Sequence, residues 1–133
     1  MGINKILSFG TGRRKCSFCE VILFPGTGVY FINLKLNNFY FQNNNDQNIQ
    51  SFFPLKILNL YQELNGIIRV RGGGLETQTK AISLAIARAL VKMFPFIKKT
   101  LKRLKLLNYD PRIIERKKYN LKKARKKSQH SKR

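Results

Sequence analysis

The sequence predicts an α+β fold: a two-layer sandwich with helices on one face of a mixed, mainly antiparallel sheet, followed by an extended basic tail. Three observations predict it. Alternating apolar stretches fill the first third of the chain. One long segment after residue 76 repeats its apolar residues at helical spacing, and apolar side chains almost vanish beyond Leu121. The 133 residues suit a single domain, with residues 1–9 as an N-terminal extension, 10–108 as the globular part and 109–133 as the tail.

Gly10-Thr11-Gly12 reads as a turn opening a strand from Arg13 to Phe24. Its odd face presents Ser17, Cys19, Val21 and Leu23, and its even face Phe18, Ile22 and Phe24 around Glu20. Pro25-Gly26-Thr27-Gly28 is a turn, after which Val29 to Ile32 is expected to pair back on the first strand as a hairpin. Asn43 to Asn48 has nothing apolar to bury and reads as a surface loop. From Pro54 to Leu64 the spacing of Leu55, Leu58 and Tyr61 predicts a helix, stopped by Asn65-Gly66.

Ile67 to Arg71 is a short strand whose Arg69 and Arg71 share a face with Ile67. After Gly72-Gly73-Gly74 comes the strongest helix signal, Thr77 to Phe94, with Ile82, Ala85, Ile86, Ala89, Leu90 and Met93 as its buried stripe. Arg88 and Lys92 fall where cations complement the helix dipole, and Pro95 ends the helix. A second, basic helix is expected over Phe96 to Leu107, apolar at Ile97, Leu101 and Leu104.

Charge narrows the function. The formal net charge is +21, and sixteen Lys or Arg lie between Lys98 and Arg133 against the two acids Asp110 and Glu115. The first 66 residues carry only six cations. Such localised charge repels itself unless a polyanion sits beside it, and nucleic acid is the abundant one. A membrane partner is not expected, since no stretch approaches the ~20 apolar residues of a span. The first residues show neither an export nor an import signal.

Chemistry finds little support. Cys16 and Cys19 are spaced C-x-x-C, yet on a strand their sulfurs diverge, no second pair exists, and the only histidine is His130. No metal and no cofactor are expected. Six scattered acids and one tail histidine supply no positioned acid–base pair. The turn Gly72-Gly73-Gly74 precedes a helix, where backbone N–H groups can meet phosphate. However, Leu75-Glu76-Thr77-Gln78 lacks the Lys-Ser/Thr of a nucleotide loop. Tight packing or approach of an RNA phosphate explains the glycines instead. A small phosphate-handling enzyme and a free nucleic-acid chaperone are the rival readings. The candidate contacts to RNA are Arg13, Arg14 and Lys15, then Arg69 and Arg71, with the three glycines.

The ordered motifs Gly10-Thr11-Gly12-Arg13-Arg14-Lys15, Pro25-Gly26-Thr27-Gly28, Val70-Arg71-Gly72-Gly73-Gly74, Gln78, and Ala81 with Ile86-Ala87-Arg88-Ala89-Leu90 run through the chain. They continue in Asp110-Pro111-Arg112, Glu115-Arg116-Lys117-Lys118-Tyr119, Leu121-Lys122-Lys123-Ala124-Arg125-Lys126, Gln129 and Ser131-Lys132-Arg133. Together they resemble the family of the ninth protein of the small ribosomal subunit, in its bacterial or organellar form. The resemblance implies a left-handed β-α-β unit and a place in the subunit head on small-subunit rRNA, beside neighbouring head proteins, with no enzymatic activity and no small-molecule substrate. It extends the rRNA contacts to Arg112, Arg116, Lys117, Lys118, Lys122, Lys123, Arg125, Lys126 and Lys127. It assigns Ser131, Lys132 and Arg133 to the peptidyl-site tRNA. The chain departs from the family pattern at Thr77 and Asn120, where glycine is usual, at Glu20, where a basic residue is common, and at Asn108-Tyr109. Abundant Asn, Ile, Lys and Phe without Trp suggests an AT-biased genome and hence a plastid (chloroplast) ribosome in the stroma, with a bacterial cytoplasm or a mitochondrion as alternatives.

Overall fold

The computed structural model describes residues 7–131. Its strands are β1 (Ser8–Arg14), β2 (Ser17–Pro25), β3 (Tyr30–Ile32), β4 (Lys35–Leu36) and β5 (Leu64–Arg71). They form one sheet in the order β1-β2-β5-β3-β4. Every pairing is antiparallel except β3 with β5. The helices are α1 (Asn37–Tyr40), α2 (Asn45–Ser51), α3 (Phe53–Ile57), α4 (Leu75–Met93) and α5 (Lys98–Arg103), the last preceded by a 3₁₀ turn at Pro95–Ile97. The result is the α+β arrangement the sequence predicts, a mixed and mostly antiparallel sheet with helices packed on it. After α5 the described residues hold no further strand or helix, only an isolated bridge between Leu121 and Lys127.

The core lies between α4 and the sheet. Cys19, Val21 and Leu23 of β2 and Ile68 and Val70 of β5 point into it, with Ile82, Ala85, Ile86, Ala89 and Leu90 of α4 facing them. Each fully buried branched side chain contributes roughly 1.5–3 kcal/mol by leaving water. The alternation read for the odd face of β2 and the stripe read for α4 both hold, with Met93 only partly buried. Tyr30 fills the other end, its ring 4.7 Å from Phe52 and 4.9 Å from Tyr61, and its hydroxyl donates to the Tyr61 carbonyl.

Gly10-Thr11-Gly12 is strand interior rather than a turn, because β1 runs through it and the reversal comes after Arg14. The two glycines are demanded by helix packing. A Cβ on Gly10 would lie 2.1 Å from the Ala85 carbonyl oxygen, and one on Gly12 2.1 Å from that of Ala81. Small residues at Ala81, Ala85 and Ala89, one per turn, bring the α4 backbone down onto β1. Arg88 then donates to the Thr11 carbonyl and Lys92 to the Phe9 carbonyl, occupying acceptors that an edge strand leaves open.

Other expectations change. β3 does not pair with β2; it lies beyond β5 and runs parallel to it. The Asn65 side chain on β5 accepts from the Thr27 and Val29 amides and so ties the turn across to that strand. The asparagine-rich segment is not all loop, for α2 starts within it, capped by Asn44. The helix expected to Leu64 stops at Ile57, and Asn59 takes a left-handed φ of 55°. The last basic helix ends at Arg103, with Lys105 at φ 58°, which leaves Leu104 exposed.

Candidate nucleic-acid interface

The cations of β1 and β5 meet at one end of the sheet. Register places Arg13 opposite Phe18, and Phe18 opposite Arg71. Both guanidinium groups lie over the Phe18 ring, 5.0 and 5.2 Å from its centroid. Cation–π attraction of this kind holds two like charges side by side with their N–H edges free for phosphate. Arg69 follows on the same exposed face, directly opposite Glu20. Lys15, at φ 51°, sits in the exposed reversal between β1 and β2.

The glycine turn packs against that reversal. Gly72 and Gly73 have φ of 76° and 66°, which L side chains rarely adopt. A Cβ on Gly72 would meet the Cys16 carbonyl oxygen at 2.4 Å, and one on Gly73 the Ser17 hydroxyl at 2.1 Å. Packing therefore accounts for both without a nucleotide. Gly74 differs: it has ordinary dihedrals and nothing within 4 Å of its would-be Cβ, and it is the N-cap of α4 without a capping side chain. Its bareness leaves the positive end of a 19-residue helix open.

Hydrogen bonds fix this corner. Ser17 Oγ lies 2.9 Å from the Gly72 carbonyl oxygen and 2.7 Å from Thr77 Oγ1, which in turn lies 2.8 Å from the Gly74 carbonyl oxygen, so the two hydroxyl protons serve two of these three contacts at a time. Gln78 Nε2 donates to the Gly72 carbonyl, and Tyr40 donates to Gln78 Oε1. Thr77 is thus built into the turn. Glu76 pairs with Lys80 one helical turn on, and that hydrogen bond holds its carboxyl below the ordinary range.

The root of the tail joins the same corner through Asp110, which sequence reasoning did not single out as a contact. Arg14 Nη1 lies 2.7 Å from Asp110 Oδ2, and Arg112 donates to both carboxylate oxygens and, through its amide, to Oδ1. On sequence alone Phe18 is likewise only a strand residue. The signal for both was present: an acid in a basic run, and an aromatic beside alternating arginines.

Further along, Arg116, Lys117, Lys118, Lys122, Lys123, Arg125, Lys126, Lys127 and Ser131 are all exposed. Glu115 pairs with Arg125, and Asn120 takes φ 59°, a left-handed conformation that asparagine tolerates better than most residues. Lys132 and Arg133 lie outside the described residues. Cys16 is exposed in the turn and Cys19 is buried in the core, both free thiols. Among the described residues no group of three or more His, Cys, Asp or Glu is placed to hold a metal ion.

A small α+β domain with Arg13, Arg14, Lys15, Arg69 and Arg71 at one end of its sheet and a basic tail beyond it has the charge pattern of proteins that hold a polyanion. A family model described as Ribosomal protein S9/S16 matches residues 12–133. The small ribosomal subunit protein uS9c of Gracilaria tenuistipitata var. liui is 47% identical over 130 residues, covering 98% of this chain and 95% of its own length. That of Cyanidium caldarium is 47% identical over 128 residues, covering 96% of this chain and all of its own length. The small ribosomal subunit protein uS9 of Acaryochloris marina is 45% identical over 130 residues, covering 98% and 95%. The chain belongs to this ribosomal protein family, and that membership makes it a non-enzymatic protein.

Proposed function

We propose that this chain is a structural constituent of the small ribosomal subunit. Residues 10–108 dock in the subunit head, with Arg13, Arg14, Lys15, Arg69 and Arg71 against rRNA phosphates and Gly74 open to one more at the start of α4. Residues 109–133 leave as an extended basic tail, with Arg112, Arg116 to Lys118 and Lys122 to Lys127 lining its path between RNA helices. Ser131, Lys132 and Arg133 meet the peptidyl-site tRNA. Fully stretched at roughly 3.3 Å each, the about 22 residues after Pro111 could reach on the order of 70 Å, a reach shortened while the Leu121–Lys127 bridge and the Glu115–Arg125 pair hold the reversal between them.

One observation carries this reading. Segments far apart in sequence, the β1–β2 reversal, the end of β5 and the root of the tail, converge on a single cationic corner in a chain whose family is ribosomal. The parallel β3–β5 pair, joined through β4 and three helices, supports a β-α-β crossover here, which we read as left-handed. We favour a plastid ribosome; plastid and cyanobacterial forms both stand among the relatives.

Sucrose-gradient sedimentation in high magnesium tests it. The chain is expected with the small subunit, and a chain found only in the soluble fraction would overturn the reading.

A further inference from the structure

The face of the sheet turned away from α4 carries a second surface, distinct from the cationic corner. Strand register places Phe9 opposite Ile22, Ile22 opposite Ile67, Ile67 beside Phe31, and Phe31 opposite Leu36. Paired residues share a face, so these five apolar side chains form one row crossing all five strands. Each is between 37% and 45% exposed. A two-layer fold has no second helical layer to cover them.

The row is uncharged in a chain with 27 cations among its 133 residues. Lys92 touches it at the β1 edge, over the Phe9 ring. The next row along the strands is Thr11, Glu20 and Arg69, so a carboxylate stands between the apolar row and the Arg13–Phe18–Arg71 row. Glu20 and Arg69 balance each other in that row and the apolar row itself offers phosphate no cation, while three of its five side chains are aliphatic, with no flat face on which a base would stack. The charge complement of a neutral apolar row is a neutral apolar surface, which proteins present and RNA backbone does not.

Size excludes a free-standing dimer. With about 150–250 Å² on each aromatic side chain and less on the aliphatic ones, the row offers on the order of 400 Å². A stable two-protein interface needs about 800 Å² from each partner. A contact of this size holds only where other contacts already fix both molecules, as in a ribonucleoprotein particle.

We propose that the row Phe9, Ile22, Ile67, Phe31 and Leu36 seats an apolar segment of a neighbouring protein of the same particle. This rests on the functional reading above and adds to it the surface and the kind of partner. Full-length protein carrying the photo-crosslinker p-benzoylphenylalanine in place of Phe31, and separately of Phe9, is incorporated into small subunits in cells, purified and irradiated. The expected products are crosslinks to peptides of another subunit protein, at a yield that falls several-fold when Ile67→Lys is added to the Phe31 variant. Crosslinks to rRNA nucleotides alone, or none from either position in subunits that contain the chain, would overturn the proposal. A chain absent from the subunits would overturn the functional reading itself, and the partner with it.

Discussion

Arg14 and Asp110, 96 positions apart, form a 2.7 Å ion pair that ties the root of the basic tail to the end of β1. The same carboxylate accepts from the backbone and side chain of Arg112. An acid inside a strongly cationic tail weakens contact with RNA, so its value lies in geometry: it fixes where the tail leaves the globule. Both partners are partly exposed, and the pair orients more than it stabilises.

The Asp110 carboxyl should titrate well below the ordinary carboxylate range, first because of hydrogen bonds from Arg112 and then because of the Arg112 and Arg14 charges. A depressed native pKa means that the contact is fully present above the unfolded value of about 3.9 and is lost as pH falls through the lower native value. Carbon-detected NMR titration should therefore show the tail root unchanged from neutral pH down to about 4 and released only in stronger acid. Arg112→Ala should raise the midpoint more than Arg14→Ala does. A midpoint at the ordinary value would contradict the clamp.

Gly10→Ala should destabilise the domain by about 1–3 kcal/mol, as overpacking does, because the added Cβ meets backbone of α4 that cannot yield locally. Gly74→Ala should cost about 1 kcal/mol or less, the difference between glycine and alanine as an N-cap, yet should weaken RNA binding by narrowing access to that cap. Denaturant midpoints and filter binding on both variants separate the two roles. Equal losses of stability would show that Gly74 too is a packing glycine.

Arg13→Ala together with Arg71→Ala should lower the slope of log affinity against log salt for rRNA by roughly 1.4–1.8, two phosphate contacts at about 0.7–0.9 each. Lys56→Ala should leave the slope where it was, since Lys56 lies on α3 over the Tyr61 ring. An unchanged slope in the double variant would remove the Phe18 platform from the interface.

Deleting Ser131 to Arg133 removes two of the 27 cations. Incorporation into subunits should stay near that of the full chain, while retention of tRNA at the peptidyl site weakens. Quantitative mass spectrometry of purified subunits and a tRNA filter assay check the two halves. Loss of incorporation would erase the division between an anchoring domain and a reaching tail.

What could be read from the sequence was periodic or ordered. The odd face of β2, the apolar stripe of α4 and the outward Arg69 and Arg71 follow from residue spacing alone. What escaped depends on partners distant in the chain. Gly10 and Gly12 mimic a turn until Ala81, Ala85 and Ala89 are seen beneath them, and spacing cannot announce a close helix–strand approach. β3 follows β2 in sequence but pairs with β5, because Asn65 and the parallel ladder draw it there. The helix α2 carries few apolar residues and is marked mainly by its Asn44 cap. Arg13, Arg14 and Arg71 were legible as cations, but their gathering around Phe18 and Asp110 is set by strand register and by a contact across 96 positions.

If the β1–β2 reversal faces rRNA, Cys16 stands beside that RNA and offers a direct test. Its thiol is exposed in that reversal, whereas Cys19 is fully buried and burial pushes its thiol pKa up, so a thiol-directed iron chelate labels Cys16 alone in the folded chain. Hydroxyl radicals generated from that site in reconstituted small subunits should cleave a few short stretches of rRNA strongly. Subunits that contain the labelled chain but show no rRNA cleavage above an unlabelled control would show that the reversal does not face rRNA.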